Sequence, residues 1–150
     1  MPTISVTINK CDILAEVSKM SDYVGSKALD RDDSARDRIL ATDNALKDLN
    51  RFWQDAIMKV NERFKLMITS SVDTDGQYIL TLEVSKSFDI GKSPEVKAGI
   101  TSYLINDIIG QWFAIVNKAE AAEYAALSAD LLAGVERTLY SRKKPSVPTD

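Results

Sequence analysis

Polar and apolar residues alternate over residues 3–8: Ile4, Val6 and Ile8 fall on one side, Thr3, Ser5 and Thr7 on the other. That period of two predicts a half-buried strand. The period then lengthens. Ile13, Leu14, Val17, Met20 and Val24 predict a helix over about 10–24, with Asn9 as its N-cap, Asp12 near its positive end and Gly25 as its C-cap. A polar stretch over 26–37 reads as a linker into a second, long amphipathic helix at about 34–64. Its stripe is Ile39, Leu46, Leu49, Phe52/Trp53, Ala56/Ile57, Val60 and Phe64. Asp43–Lys47 and Asp55–Lys59 are spaced to pair along that helix.

From Leu66 the period returns to two. Leu66, Ile68, Ser70 and Val72 share one parity, and Tyr78, Leu80, Leu82 and Val84 share another beyond Asp75-Gly76. Asp-Gly between alternating runs predicts a hairpin at about 66–84, because glycine takes the positive φ such a turn demands. A two-stranded hairpin is barely stable alone. This one also carries Met67 and Ile79 on its second face, so it needs helices and a further strand: the one over 3–8, or one supplied across an exposed hairpin edge at Tyr78, Ile79 and Leu80 by another subunit. Ser93 and Pro94 then start a helical stretch reaching about Tyr140, with Ser93 as N-cap and Pro94 at the first turn. As one piece it would run roughly 70 Å at about 1.5 Å per residue, too long for a compact body, so a turn is expected near Asn117-Lys118 or the helix projects. The second half is alanine-rich, which suits close helix approach or simply helix formation. Two prolines mark an extended tail over 141–150.

The expected fold is therefore mainly α within the α+β class: a bundle of about four helices with a hairpin and a short N-terminal strand, one domain over 1–140, then the tail.

Composition narrows the chemistry. The chain has no histidine, which removes Ser-His-Asp and Cys-His arrangements and the usual proton shuttle at neutral pH. Cys11 is the single cysteine, so no intrachain disulfide forms, and its place predicts a small, partly buried helix residue. The six glycines form no phosphate-cradling loop. A calcium loop from Asp73 fails on spacing, since Tyr78 and Val84 occupy the positions that require glycine and glutamate. The acids at Asp30, Asp32, Asp33 and Asp37 could hold a cation, but Arg31 and Arg36 stand among them. No cofactor or metal is expected, and the chain reads as a non-enzyme. A net charge of −3 argues against a dedicated nucleic-acid binder. Met1-Pro2-Thr3-Ile4 opens no signal peptide, and no apolar run approaches the roughly 20 residues needed to span a bilayer. The basic run Arg142-Lys143-Lys144 either offsets a helix dipole, docks into an acidic partner groove, or touches phosphates weakly.

The run of residues 96–116 with Tyr103 and Gly110-Gln111-Trp112-Phe113 carries a resemblance. So do Glu120, Ala121, Tyr124, Leu131/Leu132 and the ending Leu139-Tyr140-Ser141-Arg142-Lys143-Lys144-Pro145. The arrangement resembles the head–tail connector (neck or adaptor ring) proteins of tailed bacteriophages, above all the small ring proteins of Bacteroides-infecting, crAss-like phages. The likeness implies a structural virion protein, assembled in the host cytoplasm and resident in the neck. It implies a homo-oligomeric ring, commonly of twelve copies, bound to portal and tail proteins, with DNA passing through unbound and no membrane contact. Subunits would meet by heterologous contacts that close under rotation. Partner contacts would then fall on Trp112, Tyr140, Arg142, Lys143, Lys144 and Pro145. The N-terminal strand has no assigned place in that plan. The alternative is a helical protein–protein interaction module, such as a dimeric regulator or chaperone-like protein, using the Phe52/Trp53 face.

Overall fold

A computed structural model describes residues 2–28, 46–74, 76–116 and 118–142. In chain order its elements are β1 (Thr3–Asn9), α1 (Lys10–Ala28), α2 (Leu46–Arg63), β2 (Ile68–Thr74), β3 (Gln77–Glu83), α3 (Ser93–Val116) and α4 (Lys118–Tyr140). This is the expected bundle of four helices with a hairpin and an N-terminal strand. The linker acids, Ile39, Asp43 and the first part of the long helix at 34–45 lie outside the described residues, as do the side chains of Val24 and Leu46.

The sheet is antiparallel in the order β1-β3-β2. β1 is thus the third strand the hairpin needs. Its register is unbroken, from Thr3 opposite Glu83 to Asn9 opposite Gln77. Ile4, Val6 and Ile8 of β1 and Tyr78, Leu80 and Leu82 of β3 point into the helices and are buried. The other face is threonine- and serine-rich and open. Ile79 and Val72 supply its apolar atoms, whereas Met67 sits in the turn after α2 and packs partly against the core. The hairpin turns on Gly76, at φ +76°.

Tyr78, Ile79 and Leu80 do not form an exposed edge. They lie in the central strand, bonded to β1 on one side and β2 on the other. The edge is β2, whose alternation the sequence misplaces. A bulge between Ile68 and Ser70 inserts one residue, so Ser71 and Asp73 rather than Ser70 and Val72 stand opposite Leu80 and Tyr78. Leu66 precedes the strand, in the turn that ends α2, and is 92% exposed.

α3 is the axis of the bundle. Val96, Ile100, Tyr103, Leu104, Ile108, Ile109, Trp112 and Phe113 are buried around most of its circumference, the mark of a helix enclosed by neighbours. α4 folds back along it, so the long stretch is two helices, one ending at Val116 and the next starting at Lys118. Gly99 faces Val135, and Gly110 faces Tyr124 and Ala125. A side chain on Gly99 would put its Cβ 2.5 Å from a Val135 methyl, so glycine is what lets the helices meet at this depth. Phe113 and Tyr124 complete the seam with ring centroids 5.3 Å apart.

Three local expectations change. Gly25 does not cap α1, which runs on to Ala28; one interior glycine costs a helix only about 1 kcal/mol. Ser93 is not an extended N-cap. It has helical φ and ψ, its hydroxyl donates to the Ile90 carbonyl, and Asp89 accepts the Gly91 amide to start the short 3-10 turn ahead of it. Cys11 is exposed, because α1 turns Ile13 and Val17 inward and leaves Cys11 on the outer side.

Candidate interaction surface

Every buried side-chain polar atom among the described residues has a hydrogen-bond partner. Chemistry therefore has to be sought at the surface depressions. One is an open groove of about 820 Å³ between α2 and α4, with α3 as its floor. Met58 and Lys59 come from α2, Tyr103 and Asp107 from α3, and Ala125, Ala129 and Leu132 from α4. Met58 is 67% exposed, although its helix buries Leu49, Phe52, Trp53, Ala56, Ile57 and Val60. Ala125 and Ala129 are exposed as well. Two of the α4 alanines that the sequence offers for close packing, Ala125 and Ala129, thus line this groove, whereas Ala121 packs against the core and Ser128, Leu132, Val135 and Leu139 are buried.

Ion pairs tie the groove's walls. Lys59 Nζ lies 3.0 Å from Asp107 Oδ1, linking α2 to α3, and Gln111 Nε2 donates to the other Asp107 oxygen at 2.8 Å. Lys59 thus reaches across to α3 rather than pairing with Asp55 along its own helix. Arg63 pairs with Glu136, joining α2 to α4 at one end. Burial pushes the Tyr103 phenol well above the ordinary tyrosine value, and the Asp107 charge adds to the shift. The phenol is held neutral on the groove floor, unsuited to act as a base.

A second depression, of about 450 Å³, lies where the turn after α2, the end of β3 and the end of α4 converge. Leu66, Tyr140 and Arg142 are exposed there, with Met67, Val84 and Leu139 beneath. Tyr140 is 63% exposed. Tyr140 and Arg142 therefore come together, and Leu66 joins them. Sequence alone does not find Leu66 here, because its alternation with Ile68 points to a strand interior. Trp112 is elsewhere: only 8% exposed, it belongs to the core and is closed to a partner. Lys143, Lys144 and Pro145 lie outside the described residues. The Phe52/Trp53 face is also spent internally, at 4% and 0% exposure.

Between α2 and the hairpin runs a polar seam. Trp53 Nε1 donates to Asp73 Oδ2 at 3.2 Å, the Tyr78 hydroxyl donates to Asn61 Oδ1 at 2.5 Å, and the Ser71 hydroxyl donates to the same oxygen at 3.0 Å. Burial pushes the Tyr78 phenol up to about 12; the Ser71 hydroxyl opposes this rise and the Asp73 charge adds to it. These donors and acceptors satisfy one another, so the seam is a joint of the fold.

Among the described residues no cluster of acids or cysteine has metal-binding form, and no helix is long and apolar enough to cross a membrane. No family model, curated protein or solved structure matches the chain.

Proposed function

We propose that the chain is a structural ring subunit of a tailed-phage neck, set between portal and tail, with DNA passing through the ring. The observation that carries this reading is the presence of two separate surface depressions on one small subunit, each setting exposed apolar side chains among charged ones. One is the α2–α4 groove with Met58, Ala125 and Ala129; the other is the Leu66–Tyr140 depression. Along α4 they stand about ten residues, or roughly 15 Å, apart. Head-to-tail contacts that close into a ring use two different surfaces per subunit, whereas a two-fold contact uses one surface twice. The net charge of −3 suits a wall past which a duplex slides without sticking.

Native mass spectrometry of the purified protein, alone and with portal, tests the proposal. A multiple of the 16.6 kDa chain, either alone or on the portal, is the expected result. Met58→Asp and Tyr140→Asp should each break any assembly larger than two copies without lowering the melting temperature. A protein that stays monomeric and does not bind portal overturns the reading. An oligomer unaffected by both substitutions removes its structural basis.

A further inference from the structure

The two outer strands of the sheet differ in their readiness to accept another strand. β2 carries a bulge and the charge of Asp73, both devices that discourage edge pairing. β1, sequence TISVTIN, has seven residues and no charge, proline or bulge, and five of its residues are β-branched. Such a strand is a template for edge-to-edge pairing.

The hydrogen-bond phase of β1 follows from its two ends. The Val84 amide donates to the Pro2 carbonyl at 2.9 Å, and the Lys10 amide donates to the Gly76 carbonyl at 2.8 Å. In an antiparallel pair the bonded positions alternate, so Ile4, Val6 and Ile8 turn their main-chain groups toward β3. Thr3, Ser5 and Thr7 turn theirs outward. Among the described residues nothing bonds those outward groups, and all three side chains are exposed.

We infer that β1 pairs antiparallel with β1 of a second copy about a two-fold axis through Ser5, joining two three-stranded sheets into one. Ser5 meets Ser5 of the partner subunit, and Thr3 meets the partner's Thr7. All three outward residues then become bonded pairs, each exchanging two bonds. The inner side places Ile4 beside the partner's Val6. No like charges meet along either strand, which antiparallel self-pairing requires. Pairing with β2 of a second copy would instead meet the bulge and Asp73. The contact is independent of the ring reading. It saturates at two copies, and within a ring it would join two rings back to back.

Sedimentation equilibrium over a concentration series tests the contact. The wild-type protein should include a species of twice 16.6 kDa. Ser5→Pro removes an outward amide and no bond to β3, a placement edge strands tolerate; it should weaken self-association at least tenfold with an unchanged melt. Two double variants fix the register and serve if the proline variant misfolds. Thr3→Lys with Thr7→Lys sets like charges opposite each other and should dissociate the pair, whereas Thr3→Lys with Thr7→Glu should keep it. A wild-type protein that does not form this species at any concentration overturns the inference, as does equal association of the two double variants. If Met58→Asp breaks a larger assembly but leaves a pair sensitive to Ser5→Pro, both contacts exist. If larger assemblies persist in Ser5→Pro, the ring stands without the strand contact.

Discussion

Two seams, one between α3 and α4 and one between α2 and the hairpin, work by different physics. α4 meets α3 through close packing, with Gly99 under Val135 and Gly110 under Tyr124. The hairpin meets α2 through side-chain hydrogen bonds: Asn61 to Tyr78 and Ser71, and Asp73 to Trp53. The first seam gains by excluding volume and fails when atoms are added. The second depends on matched donors and acceptors and fails when a partner is removed or its proton lost. A dry seam tolerates changes of pH but not of size. A bonded one has the reverse weakness.

The largest effect should come from filling the glycine notch. Gly99→Ala should cost about 3 kcal/mol in urea unfolding, because Val135 is buried and stiff at χ1. Placed on Val135→Ala, the same change should be neutral or stabilising by up to about 1 kcal/mol, since alanine is the better helix former. Additive costs would show that the seam does not depend on that contact.

Alkali should attack the bonded seam. Tyr78 holds its proton to about 12 in the folded protein, against 10.0 for a free tyrosine. Between those values the unfolded chain binds fewer protons than the folded one, so stability falls as pH rises. Its contribution is fully present below about pH 10, and roughly 2 kcal/mol should be gone by pH 12. Tyr103 shifts the same way, so the slope measured by denaturant titration should flatten in Tyr78→Phe and not vanish. Asn61→Ala leaves the Tyr78 and Ser71 hydroxyls without their acceptor and should cost about 1.5 kcal/mol. Adding Tyr78→Phe should recover part of that, because an apolar pair leaves less unsatisfied. The smallest effect belongs to Lys59→Met. Its partner Asp107 is mostly covered but Lys59 is half exposed, so less than about 1 kcal/mol should change at neutral pH.

The two helices of the dry seam were legible in the sequence, but the glycines that let them meet were not, and neither was the bonded seam. Ile100, Tyr103, Leu104 and Ile108 recur at helical spacing, and the excessive length of the stretch demands the division into two helices that the structure shows. The strand over 3–8 was legible as a strand, and the hairpin's need for a third strand named it as a candidate. Period two failed at β2 because one inserted residue exchanges inside for outside, and no residue type announces a bulge. Trp112 and the Phe52/Trp53 pair were ambiguous for a different reason. An aromatic on an amphipathic stripe fits a core and an interface equally, and only the packing of the whole chain decides. Leu66 and Met58 escaped notice because they interrupt or flank the stripes, and their exposure depends on where elements end.

The pairing of Thr3 with Glu83 has a consequence for how the protein is made. Translation runs at about 5–20 residues per second, so the opening strand leaves the ribosome roughly 4–16 seconds before the strand it will lie against. During that interval an uncharged stretch of isoleucine, valine and threonine has no native neighbour in its own polypeptide, and crowded polysomes place identical nascent stretches close by. Production at lower temperature, or with a holdase that shields emerging segments, should raise the soluble yield.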